Sequence, residues 1–114
     1  FSIYSQVMIF SEKLQKELND SLDKFQDFYE SENNFKLPKM KVTEVILHFD
    51  IARAMKGTRD LSFLSIEVDI EKKDARMGRV RKFFQEYLEM ILDASGVGYN
   101  YIEPYITFKT NNNL

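Results

Sequence analysis

Apolar residues recur every three or four positions over roughly the first thirty residues, and polar residues fill the positions between them. This spacing predicts a helix from about Ile3 to Ser31. The stripe is narrow and close to heptad-spaced, which is typical of a coiled-coil seam or of a helix lying across a domain. The alternative is a strand over residues 2–10, with Ser11 as the N-cap of a shorter helix. The stripe consists of Tyr4, Val7, Met8, Leu14, Leu18, Leu22, Phe25 and Tyr29.

The next two apolar segments differ in how well their pattern distinguishes helix from strand. Residues 39–57 alternate like a strand but also fit helical spacing. Their length, the helix-forming run IARAMK and the position of Gly57 favour a helix from about Lys39 to Lys56. Residues 61–70, LSFLSIEVDI, are apolar on nearly both faces, which predicts a strand in the middle of a covered sheet.

The C-terminal third of the chain predicts a helix followed by a β-hairpin. Helical spacing of apolar residues predicts a second amphipathic helix from about Ala75 to Asp93. Residues 98–110 predict two short strands around Glu103 and Pro104, because proline cannot donate a hydrogen bond to a β-ladder. The final NNNL predicts a frayed end.

The order of these elements predicts an α/β (α+β) fold with a small sheet packed by helices and a long amphipathic helix in front of it. Residues 1–34 are predicted as a coiled-coil-like helix and residues 35–114 as a small α/β domain.

Composition narrows the function classes. The chain has 114 residues, 44% of them hydrophobic, which suits one compact domain. With 16 basic and 18 acidic residues, no global charge favours nucleic acid or an anionic membrane. The absence of cysteine excludes disulfides and thiolate chemistry and favours a reducing, cytoplasmic location. The apolar runs are far shorter than the roughly 20 residues of a membrane span. The start at Phe1 instead of Met predicts a piece of a longer protein.

The run HFDIARAMKGTRDLSFLSIEVDIEKK resembles the opening of GGDEF (diguanylate cyclase) domains. In that family, a helix ending in an A-R-A-like segment leads to a strand of the L-S-L-L-x-x-D-x-D-x-x-K type. A helix and a β-hairpin that carries the family signature follow, and YIEPY (101–105) stands at the signature's place. The resemblance covers about residues 39–108 and implies a ferredoxin- or palm-like core. The matching residues are Ala52-Arg53-Ala54, Leu61-Ser62-Phe63-Leu64, Glu67, Asp69 and Lys72.

The resemblance implies a vestigial metal site. The family condenses two GTP molecules into cyclic di-GMP, and two carboxylates hold divalent cations against the triphosphate. By position, Glu67 and Glu103 correspond to those metal ligands, and Lys72 would contact a phosphate. Mg²⁺ is implied only if nucleotide binding persists, and no other cofactor is expected.

Several departures from the family imply that cyclase activity has been lost. Tyr101 and Ile102 replace the paired glycines at which backbone must approach the nucleotide. Pro104 deletes a backbone donor in the signature. The loop after Lys72 is shorter than usual, the guanine-reading asparagine has no counterpart, and LDAS (92–95) lacks the R-x-x-D inhibition motif.

Basic residues crowd the segment KKDARMGRVRK, where Asp74 is the one acid. Basic side chains at a helix N-terminus oppose the helix dipole, so helix stability does not explain them. They indicate a patch for an anion or a phosphorylated partner, and a solvated helix face is the alternative. The patch consists of Lys72, Lys73, Arg76, Arg79, Arg81 and Lys82.

Two other features have plain structural interpretations. Charged residues flank most buried strands, which is the alternative for Glu67, Asp69 and Lys72. His48 is the single histidine, and without metal-ligand or triad spacing it indicates a half-buried helix residue.

These features predict a non-catalytic, GGDEF-like regulatory or assembly module that acts through protein–protein contacts and forms a homodimer through its first helix. The resemblance implies a role in cyclic-di-GMP or exopolysaccharide-related signalling. An alternative is an unrelated interaction protein, a coiled coil capped by a small α/β domain, such as a phage-encoded inhibitor or adaptor. A third is a nucleotide-binding enzyme that uses Glu67, Glu103 and Lys72. Nucleic acid and membrane insertion are not expected.

Overall fold

In a computed structural model, the described residues 3–49, 62–95 and 102–114 form two helices and three strands. The mixed α/β class and the long leading helix are confirmed. Neither of the two described helices has a stretch apolar enough to cross a membrane. The elements are α1 (Ile3–Asn33), β1 (Met40–Phe49), β2 (Ser62–Ile70), α2 (Met77–Ala94) and β3 (Ile102–Thr110).

The strands form one mixed sheet in the order β1-β2-β3. β1 is antiparallel to β2, and β3 runs parallel to β2. Parallel neighbours need a long crossover, and α2 lies in that crossover. The predicted helix 3–31, strand 61–70 and helix 75–93 are thus confirmed as α1, β2 and α2 within a few residues at each end.

The predicted helix over residues 39–56 is wrong for the part that the structure describes. Residues 40–49 form β1, paired with β2 over its whole length. The alternating pattern was therefore the correct signal. The length of the apolar segment favoured a helix only because residues beyond the end of β1 were included in it. Residues 50–56, including the IARAMK run, lie outside the described residues.

The predicted break at Glu103 and Pro104 is also wrong, because residues 102–110 form a single strand. Residues 98–101, the start of the predicted hairpin, lie outside the described residues. β3 is an edge strand, and Asn111 N–H, one residue beyond it, donates to Ile70 O at 2.8 Å. Backbone groups alternate in direction along a strand, so the odd positions face β2 and Pro104 faces outward. The missing N–H of proline costs no ladder hydrogen bond there.

The core lies on one face of the sheet, beneath both helices. The even-numbered side chains of β2 from Leu64 to Ile70 are at most 1% exposed. On the opposite face of β2, Ser65, Glu67 and Asp69 are half-buried, so the prediction of a strand covered on both faces is wrong. The helices contribute Leu14, Leu18, Leu22, Val80, Phe83, Phe84, Tyr87, Leu88 and Leu92.

Polar side chains of α1 bind the outer edge of β1. Asn19 makes two hydrogen bonds with the Val42 backbone, accepting from its N–H (2.9 Å) and donating to its carbonyl (2.8 Å). Ser11 Oγ accepts from Leu47 N–H at 3.2 Å. A β-bulge between Val42 and Glu44 shifts the alternation of backbone direction along β1 by one residue. The backbone groups of Val42 and Leu47 therefore both face α1. The helix therefore takes the place of a neighbouring strand and covers an edge that could otherwise pair with another chain.

The apolar stripe of α1 packs inside the chain's own core from Leu14 onward. Leu14, Leu18 and Leu22 are at most 3% exposed. A coiled-coil seam would need these side chains at its interface. Homodimerisation through α1 stays a prediction, but these three positions of the stripe that motivated it are already buried in the chain's own core. Three earlier positions of the stripe have side chains that lie outside the described residues, namely Tyr4, Val7 and Met8.

Candidate functional site

The two carboxylates predicted to share a metal lie far apart in the sheet register. Glu67 pairs with Thr107, whereas Glu103 pairs with Phe63, which lies four residues before Glu67 in β2. At the rise of a strand this is roughly 13 Å of backbone. Direct ligands lie within about 2.6 Å of a Ca²⁺ or Mg²⁺ ion, so this register does not favour one shared ion. The side chain of Glu103 lies outside the described residues, and those that are described contain no group of three potential metal ligands.

The carboxylates of the E-x-D-x-x-K run contact side chains from β3 and its C-terminal extension. Lys109 Nζ lies 2.8 Å from Glu67 Oε1, and this hydrogen bond raises the pKa of Lys109. Asp69 Oδ2 accepts a hydrogen bond from Asn111 Nδ2 at 2.9 Å. Asn111 is thus bound to β2 through its side chain and its backbone, and the predicted fraying does not extend to it. Lys72 lies in the loop after β2 and is exposed.

His48 also lies on the face of the sheet opposite the helices. Its Nε2 is 2.9 Å from Ser65 Oγ. The predicted half-burial is confirmed, although the residue is on a strand instead of a helix.

Two loops meet at the end of the sheet where the predicted basic patch lies. Glu71 N–H, at the end of β2, donates to Lys39 O, just before β1, at 2.9 Å. This contact brings the basic residues of FKLPK beside those that follow β2. The combined surface, called the basic end below, consists of Lys36, Lys39, Lys72, Lys73, Arg76, Arg79 and Lys82.

Phe35 organises the two arginines at the basic end. The Cζ atoms of Arg76 and Arg79 lie 4.7 and 4.2 Å from the centroid of its ring. The ring is only 4% exposed. A guanidinium that stacks on an aromatic face keeps its N–H donors at its edge, where they can pair with carboxylate or phosphate. Phe35 thus restricts two cationic groups that would otherwise be mobile.

Two acidic side chains at the basic end, Glu30 and Asp74, accept hydrogen bonds from the backbone. Glu30 Oε1 accepts from Leu37 N–H at 2.8 Å. Asp74 Oδ1 accepts from Arg76 N–H at 2.7 Å, and its Oδ2 lies 3.5 Å from Arg76 Nη2. Within the described part of the chain, this is the one ion pair formed by the basic end. The other six basic side chains of the basic end form no ion pair among the described residues, although Glu71 lies beside them in sequence.

Arg81 does not belong to this surface, although it lies in the same run of the sequence. Its Nη1 donates to Ile106 O at 2.6 Å, and its Cζ lies 5.1 Å from the Phe108 ring centroid. Arg81 thus covers a backbone carbonyl on the outer edge of β3.

Sequence reasoning missed the contribution of Phe35, Lys36 and Lys39. The composition of FKLPK, two lysines around an aromatic residue, was a weak signal for it. Only the contact between two loops more than thirty residues apart joins it to the predicted patch.

No family model, curated protein or solved structure matches this chain. The GGDEF resemblance is therefore neither supported nor refuted by comparison and stays a prediction. Residues 40–49 and 102–110 form strands β1 and β3 where the resemblance implied part of a helix and a β-hairpin. Residues 50–61, which include the A-R-A segment, and residues 96–101 lie outside the described residues.

Proposed function

We propose that this chain is a non-catalytic binding module that docks an acidic segment of a partner protein on its basic end. The observation that carries the proposal is the pair of guanidiniums, of Arg76 and Arg79, stacked on the Phe35 ring. Preorganised arginines lose less conformational freedom on binding than mobile ones. They also pair with carboxylates through two parallel hydrogen bonds.

The charge distribution supports an acidic partner. The whole chain carries a net charge of −2, so the concentration of seven basic residues at one end opposes the overall balance. A local positive surface of this kind speeds the encounter with an anionic segment, and the effect weakens as salt is added.

The regulatory or assembly role is part of the same proposal. A setting in cyclic-di-GMP or exopolysaccharide-related signalling rests on the GGDEF resemblance alone, and an unrelated adaptor or inhibitor would use the same surface. A cytoplasmic location rests on the absence of cysteine.

Reversing both arginine charges is expected to abolish most of the binding to an acidic peptide. The double variant R76E/R79E should bind a fluorescent glutamate-rich dodecapeptide at least about tenfold more weakly, because each exposed ion pair is worth up to about 1 kcal/mol and the new charges repel. Fluorescence anisotropy at constant ionic strength measures the change. The variant R76K/R79K keeps the charge but not the planar stacking, so we expect an intermediate loss.

The matched control reverses two lysines on the exposed surface of α1. The variant K13E/K24E changes the net charge by the same amount, and both positions are exposed. It should bind the peptide with little change. An equal loss in both double variants would show that only net charge matters and would refute the basic end as a site.

Nucleotides are expected to leave the melting temperature unchanged. The register separates Glu67 from Glu103, and Lys109 already pairs with Glu67, so GTP with Mg²⁺ has no preformed carboxylate pair to bind. A ligand at one hundred times its Kd would stabilise the fold by about 2.7 kcal/mol, a shift of several degrees that differential scanning fluorimetry detects easily. Such a shift with GTP and Mg²⁺, lost in Glu67→Gln, would instead establish the nucleotide-binding alternative; the same scan with cyclic di-GMP tests the other family ligand.

A further inference from the structure

A cleft runs between the C-terminal half of α1 and the outer side of α2. Its volume is about 280 Å³. The aromatic side chains of Phe83 and Tyr87 lie at its base and are at most 1% exposed. The other side chains that matter here are Phe28 and Tyr29 from α1 and Lys82 and Met90 from α2.

The two sides of the cleft expose large apolar side chains. Phe28 on α1 is 63% exposed, and Met90 on α2 is 51% exposed. Single exposed apolar residues are ordinary in monomeric proteins. Here two of them flank one aromatic cleft, and such clustering of apolar side chains is found at interaction sites. Asn33, Lys82 and Glu86 also line the cleft.

The cleft is continuous with the basic end. Lys82 lines the cleft and belongs to the basic end, one helical turn after Arg79. Positions spaced by three or four residues lie on one face of a helix, so Arg79, Lys82, Glu86 and Met90 form a stripe along α2. A segment that lies along this stripe meets the cationic side chains of Arg79 and Lys82 first. The middle of the cleft, near Glu86, lies about 10 Å beyond Arg79, which is seven residues at 1.5 Å per helical residue.

We infer that this cleft receives a large apolar side chain, leucine or phenylalanine, of the same acidic segment that docks on the basic end. This inference rests on the proposed function and specifies its partner. The segment carries its carboxylates on one side of the apolar residue, about 10 Å away, which is about seven residues in a helix or three in an extended peptide. Arg79 and Lys82 favour carboxylates at the basic end, whereas Glu86 in the cleft lining disfavours them within the cleft. The cleft therefore selects an apolar residue, and the carboxylates lie on the side of Arg79.

Two peptides test the inference with the full chain. One is a glutamate-rich peptide with a leucine at the required distance, and the other has serine in its place. The leucine peptide should bind about tenfold more tightly, which is what burial of a leucine side chain supplies. In Phe28→Ser and Met90→Ser the preference should shrink to within about twofold, while the affinity for the serine peptide stays unchanged. Both positions are more than half exposed, so these variants should fold like the parent, which circular dichroism checks.

The matched control is Ile9→Ser, which removes an apolar side chain that is 55% exposed and lies outside the cleft. It should keep the full preference for leucine. Equal binding of the two peptides, with both still weakened by R76E/R79E, would overturn the cleft inference and leave the proposed function standing. Failure of both peptides to bind would overturn the proposed function itself. Concentration-dependent sedimentation of the parent that Phe28→Ser abolishes would show that a second copy occupies the cleft, and would also overturn the inference.

Discussion

A chain that starts at Phe35 is expected to remain unfolded at 25 °C. It loses the three buried leucines of α1, and truncating a buried leucine even to alanine costs about 2–5 kcal/mol. It also loses Asn19, which binds the backbone of Val42 on the edge of β1. A domain of this size has a total stability of about 5–15 kcal/mol, so the combined loss is large enough to unfold it. Far-UV circular dichroism and urea titration of residues 35–114 measure the outcome.

Adding α1 back as a separate peptide provides the control. A peptide of residues 1–34 should restore helix and sheet signals to the truncated chain if the two parts share one core. Cooperative unfolding of residues 35–114 alone, at the urea midpoint of the full chain, would contradict the expectation. It would establish the predicted division at residue 34 as two independent units, and would leave the stripe of α1 available for dimerisation.

Replacing Tyr87 is expected to give the largest loss of stability from a single side chain. Its hydroxyl donates to Leu18 O at 2.7 Å and lies 2.5 Å from Ser21 Oγ, so it joins α2 to α1. Its ring centroid lies 4.7 Å from that of Phe25. Tyr87→Ala should lower the free energy of unfolding by about 3–5 kcal/mol through cavity formation. Tyr87→Phe keeps the ring and should cost about 1–2 kcal/mol through the lost hydrogen bonds.

Urea denaturation measures both variants, and Phe28→Ala is the matched control. Phe28 is an aromatic residue of the same helical pair but is 63% exposed, so its truncation should change stability by no more than about 0.5 kcal/mol. Equal losses at positions 28 and 87 would mean that the helices do not pack as described.

The pH dependence of stability provides a second test of Tyr87. Burial raises the pKa of its phenol above the usual value of about 10. The folded state therefore favours the neutral form, and the contribution of Tyr87 is complete below about pH 10. It declines as the pH rises from there toward the higher folded-state pKa, because the unfolded chain then ionises first. The free energy of unfolding should fall less steeply between pH 9.5 and about 11 in Tyr87→Phe than in the parent. An unchanged slope would contradict burial of the hydroxyl.

The helices and the central strand could be predicted because their local periodicity and their tertiary environment agree. Each helix buries one stripe of side chains, and the apolar residues of each stripe recur with the helical period of 3.6 residues in the sequence. β2 is bounded by polar residues, and its β-branched residues Ile66, Val68 and Ile70 alternate with polar ones, as is typical of strands.

The errors fall where local patterns admit two structures. Val42 to Phe49 fit helical spacing and alternation equally, and pairing with β2 decided between them. Pro104 predicted a break between two short strands. Because β3 lies at the edge of the sheet, the backbone nitrogen of Pro104 faces away from β2, and its lack of a hydrogen does not interrupt the strand. In both cases the deciding partner is a segment distant in sequence, whose hydrogen bonds are not encoded in the local pattern.

The sequence by itself determined the class of the fold, its two amphipathic helices and the cluster of basic residues after β2. It could do so because side-chain hydrophobicity and charge are local properties. Only the tertiary structure decided that Phe35 lies under Arg76 and Arg79, that Arg81 turns away to β3, and that Glu67 and Glu103 are four register positions apart. These facts depend on long-range backbone contacts and strand register, which arise only when separate segments compete for the same hydrogen bonds and the same buried space.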